Sequence, residues 1–193
     1  LVQDLDYSVT YLSNKNVGTA KLVICGKGVY TNSLTKTFTI RPETMASAVI
    51  TGCKAKYSYT GKQVKPLIQV VWNGKILRNN TDYTLLYKNN KKRGSAGIVV
   101  TGKGNYSGTL TASFTIVRAS VKKASVTGLK AVYARTGKAV KPKVTVKLGG
   151  KKLKKKRDYI LSYRKNKKKG TALLYIKGVG NYSGTKKMKF KIR

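Results

Sequence analysis

The sequence predicts an all-β protein made of antiparallel β-sandwiches, and two observations support this fold class. Apolar residues alternate with residues of variable polarity, as in "GTALLYIKG", where Ala172, Leu174 and Ile176 are the apolar members. Turn signals such as "NG" at 73–74 separate segments of this kind, and no segment has a convincing helical period. Short strands at this spacing are typical of a sandwich.

The second observation is an internal repeat. Residues 51–116 align with residues 127–192 at an offset of 76 without a gap, and about half of the aligned positions are identical. The same offset places residues 1–40 on residues 77–116. A unit of this length can hold its own core. We therefore predict the second half of a unit at 1–40 (the first repeat), a linker at 41–50, a unit at 51–116 (the second repeat), a linker at 117–126 and a unit at 127–193 (the third repeat).

Each complete repeat contains at least four period-two strands, and the apolar positions match between repeats. One face of every strand is therefore expected to be buried and the other exposed. The matched inward sets are Ile68, Val70 and Trp72 with Val144, Val146 and Leu148; Tyr7, Val9 and Tyr11 with Tyr83, Leu85 and Tyr87 and with Tyr159, Leu161 and Tyr163; Ala20, Leu22 and Ile24 with Ala96, Ile98 and Val100 and with Ala172, Leu174 and Ile176; Phe38 and Ile40 with Phe114 and Ile116 and with Phe190 and Ile192.

The first repeat lacks strands equivalent to residues 51–76. We expect its inner face to need a cover, either a removed N-terminal segment or a second chain. Leu1 is accordingly not expected to be the natural start of the protein. The residues of that face are Tyr7, Val9, Tyr11, Ala20, Leu22, Ile24 and Phe38.

A glycine-rich octapeptide occurs twice, as "GKGNYSGT" at 102–109 and "GVGNYSGT" at 178–185. A phosphate-binding loop would require a helix after it, whereas a strand pattern, "KKMKFKI", follows. Asn32 stands where the complete repeats have Gly108 and Gly184, and asparagine is the residue besides glycine that best tolerates a positive φ. We therefore predict a turn, with the tyrosines packing back on the sandwich at Tyr30, Tyr106 and Tyr182.

Residues for catalysis or metal binding are scarce. The chain has no histidine and only 5 acidic residues, so we expect no enzyme, no metal site and no cofactor. Asp6, Asp82 and Asp158 share one repeat position; they could promote an isopeptide bond or bind a cation, but acceptance of hydrogen bonds from turn amides is favoured. Trp72 is interpreted as a core residue in preference to a sugar-stacking platform.

Two cysteines are too few for a disulfide-built fold. Cys25 aligns with outward positions and Cys53 with an apolar one, which makes them poor disulfide partners. Neither is expected to be a nucleophile, because no histidine is present to activate it.

The joint pattern of the two complete repeats resembles a known family. The second repeat carries "YTGKQVKPLIQVVWNGKIL", "DYTLLYKNN", "GSAGIVVTGKGNYSGT" and "FTI", and the third carries "RTGKAVKPKVTVKLGGKKL", "DYILSYRKN", "GTALLYIKGVGNYSGT" and "FKI". This pattern is similar to the tandem immunoglobulin-like repeats of secreted and surface proteins of Gram-positive, often gut, bacteria. The resemblance implies an extracellular string of β-sandwiches, often near the C-terminus of a larger protein, that acts as a spacer, wall-retention or adhesion module.

The net charge of +37 is concentrated at one end of the chain. The third repeat has 23 basic residues and one acidic residue, whereas the second has 11 and one, and residues 1–40 have four and two. Self-repulsion of this size is a cost that solubility alone does not require. The predicted anion-binding residues are Lys151, Lys152, Lys154, Lys155, Lys156, Arg157, Arg164, Lys165, Lys167, Lys168, Lys169, Lys187, Lys189 and Lys191.

The expected partner is an anionic polymer, either cell-wall teichoic acid or host mucin or glycosaminoglycan. Lysine outnumbers arginine, which favours diffuse attraction to phosphate or sulfate over base recognition, so no specific nucleic acid is expected. A host-protein-binding or immunoglobulin-binding segment and a passive spacer are the alternatives. No apolar run is long enough to span a bilayer, and the first ten residues do not form a signal peptide. The expected location is extracellular or in the cell wall.

Overall fold

The computed structural model describes all residues from 1 to 193, and it confirms that the protein is all-β. There is no α-helix, and one short 3-10 helix spans Val121–Lys123. None of the helical structure is long and apolar enough to cross a membrane. In chain order, the strands up to residue 58 are β1 Tyr7–Leu12, β2 Gly18–Gly26, β3 Ser33–Ile40, β4 Glu43–Thr44, β5 Val49–Thr51 and β6 Lys56–Ser58.

Fifteen further strands follow. Corresponding strands along the chain begin and end 76 residues apart, or within one residue of that spacing. Those of the middle of the chain are β7 Gln69–Trp72, β8 Lys75–Leu77, β9 Tyr83–Lys88, β10 Gly94–Gly102, β11 Tyr106–Ser107 and β12 Thr109–Val117. Those of the last part are β13 Ala119–Ser120, β14 Ser125–Thr127, β15 Val132–Tyr133, β16 Thr145–Leu148, β17 Lys151–Lys152, β18 Tyr159–Arg164, β19 Gly170–Gly178, β20 Tyr182–Ser183 and β21 Thr185–Ile192.

The strands form seven small sheets, and most of the pairings are antiparallel. The two four-stranded sheets have the same order of corresponding strands, β6-β12-β10-β9 and β15-β21-β19-β18. The three-stranded sheets are β1-β2-β3, β5-β7-β8 and β14-β16-β17, and the two-stranded ones are β4-β11 and β13-β20. By its contacts the chain divides into two compact units, the first comprising Leu1–Cys53, Pro66–Lys88 and Gly97–Ala112, and the second comprising Lys54–Lys65, Asn89–Ala96 and Ser113–Arg193.

The second compact unit has a continuous apolar core. In β19 the residues Ala172, Leu174 and Ile176 are fully buried, as the alternation in the sequence predicts. Residues 117–126, for which we predicted a linker, contain β13, the 3-10 helix and the start of β14. Ala119, Val121 and Ala124 belong to the buried cluster, because this segment too carries apolar side chains that need cover.

The first compact unit contains the β1-β2-β3 sheet, whose inner face is only partly buried. Ala20 is fully buried, but Tyr11 is 55% and Phe38 41% exposed. An open cleft of about 630 Å³ lies at one end of the sheet, between the side chains of Tyr7, Ile24, Leu34 and their neighbours. The equivalent inward positions of β10 and β19 are fully buried.

Both copies of the glycine-rich octapeptide form a turn followed by a strand. Gly104 and Gly108 have φ of 65° and 93°, and a Cβ on Gly102 would lie 2.8 Å from the backbone of Tyr106 and Ser107, so each glycine is required by geometry. Tyr106 and its counterpart Tyr182 are buried.

Two details of the turn prediction are wrong in the first repeat. Asn32 is not among the residues with positive φ, and Tyr30 is 45% exposed. The physical reason is that β4 and β13 pair with the short strands that contain Tyr106 and Tyr182, and the first repeat has no such partner strand.

The repeated aspartates accept hydrogen bonds from turn amides, as predicted. Asp6 Oδ2 accepts from the amide of Val2 at 2.7 Å, Asp82 Oδ2 from that of Arg78 at 2.8 Å, and Asp158 Oδ2 from that of Lys154 at 2.8 Å. The same turn therefore precedes β1, β9 and β18.

Candidate anion-binding surface

All fourteen predicted anion-binding residues are exposed, and they lie in three places. The lysine stripe is Lys187, Lys189 and Lys191 on β21. The basic hairpin is the loop 165–169 between β18 and β19 with Arg164 at its start. The far-end cluster is Lys151 and Lys152 on β17 with Lys154, Lys155, Lys156 and Arg157 in the loop that follows.

The lysine stripe lies on the outer face of the β15-β21-β19-β18 sheet. Its lysines alternate with Met188, Phe190 and Ile192, of which the last two are buried. Alternate residues of a strand lie about 7 Å apart on one face, so the stripe is a row of evenly spaced cations. On the neighbouring strand, Leu173 and Thr171 stand opposite Lys189 and Lys191, so no acidic side chain faces them there.

The basic hairpin is fixed at its base by an asparagine. Asn166 Nδ2 donates to the carbonyl of Val140 at 2.9 Å, and the amide of Val140 donates to the carbonyl of Asn166 at 2.7 Å. The loop borders an open cleft of about 500 Å³ lined by Lys165, Lys167, Lys168 and Lys169 with the intervening Asn166, Gly170 and Thr171. The lysines of the loop therefore extend from a backbone segment that these hydrogen bonds hold in place.

The basic hairpin and the lysine stripe meet at one end of the sheet. A smaller cleft of about 200 Å³ is lined by residues 169–171 and 191–193, which include the cations Lys169, Lys191 and Arg193. This contact follows from the strand register, because Gly170 is paired with Ile192. The two groups form one continuous cationic surface.

The loop of the far-end cluster lies at the opposite end of β18 from the basic hairpin. Tyr159 is paired with Gly178 and Arg164 with Leu173, so the loops before and after β18 leave opposite ends of the sheet. A strand of six residues puts about 17 Å between them. The fourteen residues are therefore divided between two surfaces.

Arg157 is the member of the far-end cluster least available to a ligand. Its Nε and Nη2 donate to the two carboxylate oxygens of Asp158 at 2.9 and 2.8 Å. These hydrogen bonds are the main reason that the pKa of Asp158 is lowered, and they raise the pKa of Arg157. The pair neutralises one cation of this loop.

Three residues that belong to the cationic surfaces were not predicted, and one of them is Arg193, which lines the cleft between the basic hairpin and the lysine stripe. Tyr175 lies on the outer face of β19 opposite Lys187, with Arg164 Cζ at 5.7 Å and Lys187 Nζ at 6.0 Å from its ring centroid. Lys147 stands directly opposite Lys152 across β16 and β17. The outward positions of Tyr175 and Lys147 follow from strand parity, but their neighbours depend on the strand register, which alternation in the sequence does not determine.

The other candidates of the sequence analysis have ordinary surroundings. Trp72 is half-buried, donates from Nε1 to the carbonyl of Thr44 at 3.0 Å and packs edge-on against Tyr106. Cys25 is exposed and Cys53 is half-buried. No group of three or more histidine, cysteine, aspartate or glutamate residues lies together in a way that could hold a metal ion.

Comparisons with known proteins give no family for this chain. No family model matches it, and no curated protein matches it. Among solved structures, it is similar to a chain of the protocadherin gammaB7 EC3-6 cis-dimer structure, with 11% sequence identity and a TM-score of 0.21. The match covers 97% of this chain and 66% of that chain, slightly less than two thirds of its length.

Proposed function

We propose that this chain is a non-catalytic module of tandem immunoglobulin-like sandwiches in a 76-residue repeat, and that it binds anionic polymers outside the cell or in the cell wall. The observation that supports the proposal is the continuous surface of the lysine stripe and the basic hairpin. Evenly spaced lysines on one face of a sheet suit several charges of one polymer chain at once.

Repulsion within the second cationic surface, the one that contains the far-end cluster, also favours a ligand. Lys147 and Lys152 face each other directly across two strands, and like charges at such positions are destabilising. The corresponding positions of the second repeat are Val71 and Ile76, which are also paired. The fold therefore does not require lysine at these two positions. A bound polyanion would relieve the repulsion between them.

The partner chemistry follows from the residue types. Lysine presents a hydrated point charge that attracts phosphate, sulfate or carboxylate without a fixed geometry. Wall teichoic acid and host mucin or glycosaminoglycan all offer such groups in series. Binding of this kind releases counterions and weakens steeply with salt.

A matched pair of variants tests the proposal. Lys167, Lys168 and Lys169 are changed to serine in one protein, and Lys91, Lys92 and Arg93 to serine in the other. Each change removes three charges from the corresponding loop of its repeat. The two loops are held alike, because Asn90 Nδ2 donates to the carbonyl of Val64 at 3.0 Å in the second repeat. Binding to heparin, lipoteichoic acid and neutral dextran is measured by titration calorimetry over a series of sodium chloride concentrations.

The hairpin variant is expected to lose on the order of tenfold in affinity for both polyanions, and its salt slope is expected to fall by about three. The second-repeat variant should lose much less, and dextran should not bind to any form. Equal losses of affinity in the two variants would show that binding depends on the net charge of the chain and not on the basic hairpin. Absence of polyanion binding at physiological salt would contradict the proposal and favour a passive spacer.

A second candidate function, binding of a host protein, is favoured by one feature of the second repeat. Val49, Val71 and Ile76 form an apolar row across the β5-β7-β8 sheet, with Val49 58% and Ile76 56% exposed. Single exposed apolar residues are common, but a row across three strands is a typical contact surface.

This alternative is tested with immunoglobulin G. One-to-one binding that survives high salt and is lost when Val71 and Ile76 are replaced by lysine, their third-repeat counterparts, would support it. Salt-resistant binding that persists in this variant would exclude the apolar row as the contact.

A further inference from the structure

Tyr175 is the one aromatic side chain on the outer face of the sheet that carries the lysine stripe. It lies on β19, the strand between β18 and β21, and it is half-buried between fully buried Leu174 and Ile176 of the opposite face. Arg164 reaches it from β18 and Lys187 from β21. The ring is thus flanked by a cation from each neighbouring strand.

The two cations are held close to the ring and to each other. Each lies within 6.0 Å of the ring centroid, so the guanidinium carbon and the ammonium nitrogen are at most about 12 Å apart. Arg164 and Lys187 are exposed, and cation–π contacts at exposed sites are weak. A ligand can therefore displace either side chain from the ring and still be bound by its charge.

The second repeat lacks this arrangement although its strands correspond. Val99, Thr111 and Lys88 occupy the positions of Tyr175, Lys187 and Arg164. Valine is at least as suitable for a strand as tyrosine, so the fold does not account for the aromatic residue. All three residues differ between the repeats, and two of the differences add an aromatic ring and a cation at neighbouring positions, which a ligand would explain.

We infer that Tyr175, Arg164 and Lys187 form a subsite for a sugar residue that carries its own acidic group, such as a uronate within an anionic polysaccharide. This inference rests on the proposed function and narrows its ligand class. The apolar face of the sugar ring packs on Tyr175, and the carboxylate on the same ring is bound by Arg164 or Lys187. The lysine stripe then holds the following acidic residues of the chain.

The distances favour a ring that carries its own charge. A carboxylate on a pyranose lies a few ångströms from the ring centre, which matches cations within 6.0 Å of the aromatic centroid. A polyphosphate has charge but no ring to pack. In single-stranded nucleic acid the bases stack on successive aromatic residues, and the outer face of β19 offers Thr171, Leu173 and Lys177 beside its single tyrosine.

The test uses the full chain and its Tyr175→Val variant, which carries the residue of the second repeat. Affinities are measured by titration calorimetry for polygalacturonate, inorganic polyphosphate and oligo(dT), at one physiological salt concentration. We expect about a tenfold loss of affinity for polygalacturonate and less than a twofold change for polyphosphate, because only the first ligand packs on the ring. Circular dichroism of both proteins checks that the variant is folded.

A fluorescent variant gives a second measurement that does not depend on loss of binding. Trp72→Phe with Tyr175→Trp leaves one indole, at the subsite. Its emission should shift to shorter wavelength on saturation with polygalacturonate and stay unchanged with polyphosphate, because only the sugar covers the ring.

Each outcome distinguishes this inference from the proposed function. Tight binding of polyphosphate with no binding of polygalacturonate, or equal losses for both in Tyr175→Val, would overturn the subsite and leave the polyanion surface intact. A larger loss for oligo(dT) than for polygalacturonate would assign the ring to nucleic acid. Binding of none of the three polymers by the unaltered chain would overturn both proposals.

Discussion

Asp158 shows how a single side chain holds the turn that precedes β18. It is 5% exposed and accepts hydrogen bonds from the amide of Lys154 and from the guanidinium of Arg157. Replacement by alanine leaves the amide without its acceptor, and we expect a loss of about 1–3 kcal/mol in the free energy of unfolding. Urea denaturation at neutral pH measures it, and Asp158→Asn, which keeps an acceptor for Lys154, should lose less.

The same aspartate makes part of the stability depend on pH. Its pKa is lowered from the ordinary value of 3.8, first by the hydrogen bond from Arg157. Its contribution is therefore complete above that value and is lost as the pH falls through the lower folded pKa. The difference in stability between the unaltered chain and Asp158→Ala should shrink below about pH 4. A difference that stays constant to pH 2 would show that the carboxylate charge contributes nothing.

Residue-level features were predictable where they depend on local chemistry. An aspartate at the same place before three "DY"-type strands indicated a turn acceptor, and all three make that hydrogen bond. Asn32 and Tyr30 departed from the prediction because their conformation depends on a partner strand distant in sequence. Tyr175 was missed because its importance comes from Arg164 and Lys187, which only the strand register brings to it.

At the scale of the element, the lysine stripe is expected to weaken the fold that carries it. We predict that Lys187→Thr, Lys189→Ser and Lys191→Thr together, the residues of the second repeat, raise the melting temperature at low salt by a few degrees, because repulsion along β21 is relieved. The same variant should bind polyanions less tightly. Differential scanning calorimetry at low and high salt provides the measurement.

High salt serves as the control for this prediction. Screening should remove most of the difference in melting temperature between the variant and the unaltered chain. A variant that melts lower at low salt would mean that these lysines stabilise the strand by packing along it.

For the strands of the third repeat, the sequence predicted which side is exposed but not which loops lie together. Alternation placed Lys187, Lys189 and Lys191 outward, and they are exposed. Strand direction then decides that 165–169 meets the end of β21, whereas 151–157 lies mostly at the other end. Pairing between strands distant in sequence is not readable from a period of two.

At the scale of the whole molecule, three corresponding strands provide an internal comparison of stability. β2, β10 and β19 share their length and apolar positions, but only Ala20 of β2 is fully buried, whereas Ala172, Leu174 and Ile176 of β19 all are. We predict that the amides of β2 exchange with solvent at least about tenfold faster than those of β19, since local opening exposes less apolar surface there. Hydrogen exchange followed by mass spectrometry of the intact chain measures both.

The comparison includes its own control. The middle strand β10 has Ile98 and Val100 fully buried and should exchange as slowly as β19. Equal protection of all three strands would mean that the exposed face of the first sheet is covered in solution, for instance by association of two chains.

The strict separation of inward and outward positions has an evolutionary consequence. Val71 and Ile76 correspond to Lys147 and Lys152, and Val99 to Tyr175, while the buried residues between them stay apolar. Units with the same buried residues can therefore differ on their outward faces, because substitutions there leave the core intact. The same set of buried residues can in this way carry a moderately basic surface in one unit and a highly basic surface in another, and a new specificity can arise in one unit while the other keeps its surface.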